Sequence, residues 1–479
     1  MESKPHTQSD PMSEKSRESA ASASILVWFR DDLRVADHPA LAEAVRSKRP
    51  VIALYVLDDT SGLRPLGGAA RWWLAGSLRA LAKSLKERGA SLVLRRGNAA
   101  DIVAKLADEH KVSAVHWNRR YDAGAAHDDA LAERLAQKNI AVRTFQATLL
   151  HEPPVLGKSG QPLSVFTPFW RTAQAKGAPR TPLSAPRKIE SVSGIASDNL
   201  DDWELEPTAP DWATEMDETW TRGEIGAQQR LGEFLDEELS GYATQRDRPD
   251  LPGTSRLSPH LRFGEVSPFQ VWHAAQLAAH ADRGKRPRAS DAEKFLSELG
   301  WREFCYHLLQ RYPDIAARNI DRRFDRFPWR KDVKALDAWQ KGETGYPIVD
   351  AGMRQLWRTG WMHNRVRMVV ASFLVKHLLI DWRLGEQWFW DTLVDADPAN
   401  NPASWQWVAG CGADAAPYFR VFNPMLQAEK FDPRDDYVRT FVPEANGAGG
   451  LFGKSYPEPI VDHRAARERA LQAFASLRS

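Results

Sequence analysis

Between residues 25 and 146, short apolar runs alternate with helical patterns, and nothing else in the chain restricts its fold so strongly. The runs ILVWF (25–29), VIALYVL (51–57), SLVLR (91–95), SAVHW (113–117) and IAVRTF (140–145) have the length and near-continuous apolarity of buried strands. Between them, ARWWLAGSLRALAKSLKER (70–88) and AADIVAKLADEH (99–110) carry helical periodicity. That alternation predicts a parallel, doubly wound α/β sheet. No GxGxxG follows the first run, so the dinucleotide fingerprint is absent there.

The pattern changes twice more. Residues 151–225 are rich in Pro, Gly, Ser and acidic side chains and read as a long, partly helical connector. From about Gly226 onward the periodicity is helical almost throughout, ending in DHRAARERALQAFASL (462–477). The expected fold class is therefore α/β plus all-α: a disordered tail over 1–24, an α/β domain over 25–150, a connector over 151–225 and a helical domain over 226–479. The tail is polar and Ser-rich and lacks the apolar core of a secretory signal. No stretch of eighteen apolar residues exists, so no membrane span is expected. The two cysteines, Cys305 and Cys411, form no CxxC, which argues against a disulfide framework or a zinc site and fits a reducing compartment.

Charge is informative only in its distribution. Fourteen acidic residues and two arginines lie between Asp198 and Glu238, whereas RGKRPR (283–288) and RNIDRRFDRFPWRK (318–331) are basic. Basic stretches of this kind are usually a solvated face, and they are also what a phosphate backbone attracts.

Four segments could carry chemistry. GTSRLSPHLRFGEVSP (253–268) places Thr254, Ser255 and Ser258 around Arg256. Ser258-Pro259 reads as a helix N-cap followed by Pro at the first helical position, an arrangement suited to an anion. SELGWREFCYHLL (297–309) puts Glu298, Trp301 and Arg302 within one helical turn, an aromatic platform beside a carboxylate that suits a nucleobase. In GWMHNRVRM (360–368), Asn364 and Met368 stand four apart and share a face, while Val366, Val369, Val370 and Phe373 turn inward. VDADPANN (394–401) brings Asp395 and Asp397 near Asn400 and Asn401, with no further carboxylate or His to complete a metal set. Gly410-Cys411-Gly412 with Ala415 imitates GxGxxA but follows no strand.

Taken in order, WFRDDLRVADHPAL, GTSRLSP, ELGWREF, DAGMRQLWRTGWMHNRVRM, LLIDWRLGEQWF and NNPASWQWVAGCGADAAPYFRVFNP resemble the photolyase/cryptochrome family, over nearly everything from residue 25 to about 475. The resemblance is nearest to the bacterial class I cyclobutane pyrimidine dimer photolyases. It implies a cytoplasmic, metal-free monomer that binds FAD in the helical domain and acts on UV-damaged DNA. The reaction implied is light-driven electron transfer from reduced FAD to a flipped-out dimer, with return of the electron after the ring splits. It carries over Tyr242, Thr254, Ser255, Arg256, Leu257, Ser258, Arg367, Asp395, Ala396, Asp397 and Asn401 as FAD-binding residues, with Arg367 paired to Asp395 and Asn401 by flavin N5. A neutral amide at Asn401 tolerates a flavin anion that a fixed carboxylate would oppose.

The same resemblance implies that Trp301 and Trp407 stack on the dimer, that Glu298 bonds a base edge, and that Asn364 and Met368 hold the other base. Arg246, Arg302, Cys305, Arg365 and Gln427 are the further DNA-contact candidates, and Trp405, Trp382 and Trp329 match the family's electron-transfer chain. NRRYDAG (118–124), with Asn118 and Asp122, is similar to the segment that contacts an antenna chromophore, methenyltetrahydrofolate or alternatively 8-hydroxy-deazaflavin. Relatives that act on (6-4) photoproducts resemble His-His-x-x-x-His where this chain has His363-Asn364-Arg365-Val366-Arg367-Met368, and plant cryptochromes resemble Asp where Asn401 stands. Gly300, Phe295 and Pro402 depart from the commonest dimer-photolyase pattern.

Overall fold

A computed structural model describes residues 23–280, 289–415, 419–446 and 455–477. Most of the tail, and the basic stretch 283–288, lie outside the described residues, whereas Ser24 is buried and its carbonyl accepts from Ser113 N.

Five parallel strands, β1 (Ile25–Phe29), β2 (Val51–Asp58), β3 (Leu92–Gly97), β4 (Ala114–Asn118) and β5 (Ala141–Phe145), form one sheet in the order β3-β2-β1-β4-β5. Helices Pro39–Arg46, Gly68–Lys86, Ala99–Glu109 and Ala125–Gln137 make the crossovers. β1 is buried at all five positions because it has a strand on each side and helices over both faces. β5 is not the buried strand that its sequence suggests. It has one neighbour, and Ala141, Arg143 and Thr144 are exposed, as befits the polar residues of an edge. The order of connections reverses between β1 and β4, which leaves a crevice beyond their C-terminal ends.

Among the described residues after Gly226 every regular element is helical. The helix predicted over 297–309 is the middle of a longer one, Ala289–Arg311. Gly300, singled out in the sequence, leaves no room for a side chain: a Cβ there would meet the Trp170 ring at 2.6 Å. Trp170, on helix Phe166–Gln174 of the connector, fills that space. Asn364–Ser372 runs on into a π-helical turn, Phe373–His377, against which the terminal helix His463–Ala475 packs.

The two halves share an interior. One buried cluster contains β1 residues Val27 and Phe29 together with Trp73, Trp220, Phe263, Trp361 and Val394. Trp73 meets Trp220 edge to face at 5.3 Å, and Trp220 meets Trp361 at 6.5 Å. Buried Glu303 accepts from Leu150 N and His151 N at 3.0 and 2.8 Å, tying the start of the connector to the longest helix.

Several histidines are buried without charge. His377 Nε2 lies 2.8 Å from His463 Nδ1. Burial, then the neighbouring His463 and Arg469, pull the His377 pKa down to about 3. Burial, set against Asp247 and aided by Arg246, Arg365 and Arg367, likewise pulls His363 down to about 4. The unfolded chain takes up these protons as pH falls through the ordinary imidazole value of 6.5 and the folded chain does not. The stability they contribute is therefore complete above that value and is lost progressively below it. The melting temperature is expected to fall on acidification below pH 6.5, with a shallower fall in His377→Gln; equal slopes would exclude His377 as a cause.

Candidate functional site

A cavity of about 550 Å³ opens in the helical half. Its size suits an organic cofactor. The helices Ala289–Arg311, Asn364–Ser372 and Asn400–Ala409 each turn one face to it.

The rim combines aromatic, amide and thioether groups. Glu298, Trp301, Asn364, Met368 and Trp407 all line it. Glu298 is ion-paired with Arg246 and, one helical turn back, with Lys294 at 2.9 Å. Burial works against the Arg246 charge, but Glu298 and Asp247 beside it more than compensate, and its pKa is raised. Trp301 is held flat by Phe166 of the connector, ring centroids 3.8 Å apart and planes 8° off parallel. Trp407 donates Nε1–H to Asp414 O at 3.0 Å. Asn364 is the first residue of its helix, capped by His363, whose ring nitrogen accepts from Arg365 N. Arg365 reaches Asp247 at 2.7 Å and Met368 Sδ at 3.7 Å. Arg302 and Cys305 also line the cavity, and burial pushes the Cys305 thiol up, so it is no thiolate nucleophile.

The floor is more polar and better buried. Arg367 grips both oxygens of Asp395, at 3.0 and 2.8 Å, and donates Nε–H to Met362 O. Asp397 is occupied differently. Its Oδ1 accepts from Ala399 N, Asn400 N and the Asn400 amide, and its Oδ2 from the Tyr306 hydroxyl at 2.7 Å, so it fixes the entry to helix Asn400–Ala409. Asn401, Ala396 and Tyr242 complete this part, with Phe295 packed edge-on to Tyr242 at 5.5 Å.

In the 254–258 loop, Ser255, Leu257 and Ser258 line the cavity while Thr254 and Arg256 lie beside it. Ser258 is not the cap its sequence suggests. Leu257 occupies the cap position and Ser258 is already helical, because its hydroxyl accepts instead from Trp361 Nε1 at 3.2 Å. Arg230 holds the loop from behind by donating to Ser255 O and Thr254 O. Arg256, at φ 51°, lies over the Trp220 and Trp361 rings. Among the described residues it has no carboxylate partner, and its buried Nε has no hydrogen-bond acceptor. Burial pulls its pKa down. A half-buried cation without an ion-pair partner suits an anion.

Of the three tryptophans of the expected chain, Trp382 and Trp405 belong to one buried hydrophobic cluster, Trp329 packs against it, and only Trp405 reaches the cavity. Trp382 is fully buried and donates to Asn319 Oδ1 at 2.8 Å, while Trp329 is partly exposed against Phe327. Gln427 sits on helix Pro424–Phe431, away from the cavity lining.

A second cavity, about 530 Å³, occupies the crevice beyond β1 and β4. Asn118 and Asp122 line it, together with Trp28, Tyr55 and Arg64. The Asn118 amide is already bonded to Asp32, His38 and Ala40 N, and Asp122 is held in a fork by Arg120 at 2.6 and 2.9 Å. Arg262 and Arg302 line both cavities and form part of the wall between them. Arg262 joins Asp31 of the α/β half to Ala396 O of the floor, at 2.8 and 2.7 Å. The sequence singles out neither Arg262, Arg230 nor Tyr306, since each works through a partner distant in the chain.

Two family models match: DNA photolyase over residues 25–187 and the FAD binding domain of DNA photolyase over 295–476. A deoxyribodipyrimidine photo-lyase of Agrobacterium fabrum is 50% identical, over 96% of this chain and 99% of its own length. The chain belongs to the photolyase/cryptochrome family. Cryptochrome-1 of Arabidopsis thaliana is 38% identical over 94% of this family member and 70% of its own length. The crystal structure of a class III photolyase from Agrobacterium tumefaciens superposes with a TM-score of 0.90 at 50% identity, covering 95% of this chain and 98% of that one. The class I likeness suggested by the motifs is thus not the one these comparisons favour. Among the described residues no helix is long and apolar enough to cross a membrane, and no group of His, Cys, Asp and Glu could hold a metal ion.

Proposed function

We propose that this family member is a deoxyribodipyrimidine photolyase, of the class III rather than the class I kind, that repairs cyclobutane pyrimidine dimers in UV-damaged DNA with bound FAD and light. The observation that carries the reading is the convergence of Glu298, Trp301, Asn364, Met368 and Trp407 on the mouth of the cavity whose floor holds the Arg367–Asp395 pair and Asn401. The residues fit FAD because Ser255 and Ser258 line the cavity while Arg256 of the same loop, without an ion-pair partner among the described residues, lies next to it, a set suited to a diphosphate. When bound, FAD supplies the absorption of light and the electron that opens the cyclobutane ring.

The chain's own residues do the rest. Trp301, braced by Phe166, and Trp407, anchored through Asp414, offer rigid faces on which a flipped-out dimer stacks. Asn364 bonds one base edge, Met368 closes against the same pyrimidine, and Glu298 bonds the other. Arg246, Arg365 and Gln427 meet phosphate. The second cavity takes an antenna chromophore, a folate or a deazaflavin, through Trp28 and Tyr55 more than through the engaged side chains of Asn118 and Asp122.

The decisive test is recovery of monomeric thymine from UV-treated oligothymidine under blue light with the reduced holoprotein. Repair with (6-4) lesions untouched supports the reading; no recovery would leave a non-repairing blue-light receptor. In Glu298→Ala, FAD content is expected to stay at the wild-type level while repair falls roughly tenfold or more, through loss of one preorganised hydrogen bond to developing charge. Loss of the flavin in that variant would place Glu298 with the cofactor instead. Binding to damaged DNA is expected to weaken with salt, and an affinity independent of salt would remove the phosphate contacts.

A further inference from the structure

Asn401 is 8% exposed, and both partners of its amide nitrogen are oxygens: Nδ2 donates to Glu386 O at 3.0 Å and to Glu386 Oε1 at 2.8 Å. Only an NH₂ group can face two acceptors, so the carbonyl oxygen Oδ1 is the end left for the cavity. That orientation depends on Glu386, which is buried at 1% exposure. The carboxylate of Glu386 is held by a residue from the other half of the molecule. Arg64 NH1 donates to Oε1 at 2.7 Å and NH2 to Oε2 at 2.8 Å, a fork-on-fork pair spanning 322 positions of sequence.

Arg64 is itself firmly placed. Its guanidinium lies 4.0 Å from the centroid of the Trp390 ring. Trp390 Nε1 donates to Pro65 O at 2.8 Å, and Gly68 N donates to Asp391 Oδ1 at 2.8 Å. A Cβ on Gly67 would approach Trp390 O to 2.1 Å, so the 64–68 segment lies flush on helix Trp382–Thr392. Arg64 also lines the second cavity, and the path Arg64–Glu386–Asn401 runs from that cavity to the floor of the first.

We propose that Arg64 is a positioning residue for the flavin site: through Glu386 it holds the Asn401 amide with its carbonyl oxygen toward the cavity, an acceptor that favours a protonated N5 on the bound ring over a bare nitrogen. The inference rests on the reading of Asn401 as the neighbour of flavin N5. Without Arg64 the Glu386 carboxylate loses the fork that fixes its Oε1, so the acceptor that holds Asn401 Nδ2 is no longer held in place and the amide is free to turn its NH₂ to the cavity.

The test is the one-electron midpoint potential of the flavin in purified holoprotein, measured by spectroelectrochemistry together with FAD content. Arg64→Ala is expected to hold FAD at wild-type stoichiometry and to destabilise the N5-protonated state about tenfold, lowering the potential by about 59 mV. Arg64→Lys restores part of the shift, and adding Arg64→Ala to Glu386→Gln produces no further change, because the two act as one unit. A full complement of FAD with an unshifted potential overturns the inference, as does loss of thermal stability alone, which marks Arg64 as a purely structural contact. If Arg64→Ala does not fold, Arg64→Lys and Glu386→Gln are judged by the same shift. A wild-type protein that takes up no FAD, or an Asn401→Ala variant with an unchanged potential, sinks the flavin reading itself.

Discussion

Trp405→Phe is expected to abolish photoreduction of oxidised flavin while leaving repair by chemically reduced protein near the wild-type level. Trp405 is the one member of the candidate chain that lines the cavity, so electrons that travelled along such a chain from Trp329 and Trp382 would pass it. A phenyl ring is much harder to oxidise than an indole. A barrier raised by only ~3 kcal/mol slows the step roughly a hundredfold, at about 1.36 kcal/mol per decade. The substitution is mild in other respects. Trp405 meets Phe389 edge to face at 5.0 Å and Trp339 at 6.2 Å, and its buried Nε1 has no hydrogen-bond partner among the described residues. No hydrogen bond is therefore lost on replacement. The checks are the decay of flavin absorbance under blue light with an external donor, and dimer repair after dithionite reduction. Undiminished photoreduction would remove Trp405 from the path.

The second large effect belongs to Arg367→Ala. Asp395 is only 3% exposed at its side chain, and Arg367 is the ion-pair partner that both its oxygens have. Removing the cation strands a buried carboxylate, which costs about 3 kcal/mol, the lower end for such a pair because the guanidinium is a quarter exposed. The variant is expected to be purified colourless and to melt earlier in a denaturant titration. Asp395→Asn, which removes the stranded charge as well, is expected to lose less stability than Arg367→Ala. If Arg367→Ala retained both flavin and midpoint, the pair would be decorative.

Much of this arrangement was legible in local patterns. The parallel strands β1 to β4 declare themselves as short apolar runs, since both faces are covered. The pairing of Asn364 with Met368, and of Glu298 with Trp301 and Arg302, follows from helical spacing alone. What escaped depends on partners far away in the chain. The run 140–145 reads as a buried strand, but exposure at an edge is decided by what covers it: the connector closes the β3 edge through Ser197 and Asp198 on Leu94, whereas Ala141, Arg143 and Thr144 of β5 stay exposed. Ser258 has the composition of a cap, but Trp361, 103 positions later, competes for its hydroxyl. Gly300 looks anomalous until Trp170 is found in the space it leaves. The Arg64–Glu386 fork leaves no periodic trace at all.

The aromatic column of Trp73, Trp220 and Trp361 has one more consequence. Because it belongs to both halves of the molecule, neither half can open without wetting the indoles of the other. Calorimetry should therefore record a single endotherm, and a fragment cut off near residue 225 should be a sticky, poorly behaved polypeptide instead of an independent module.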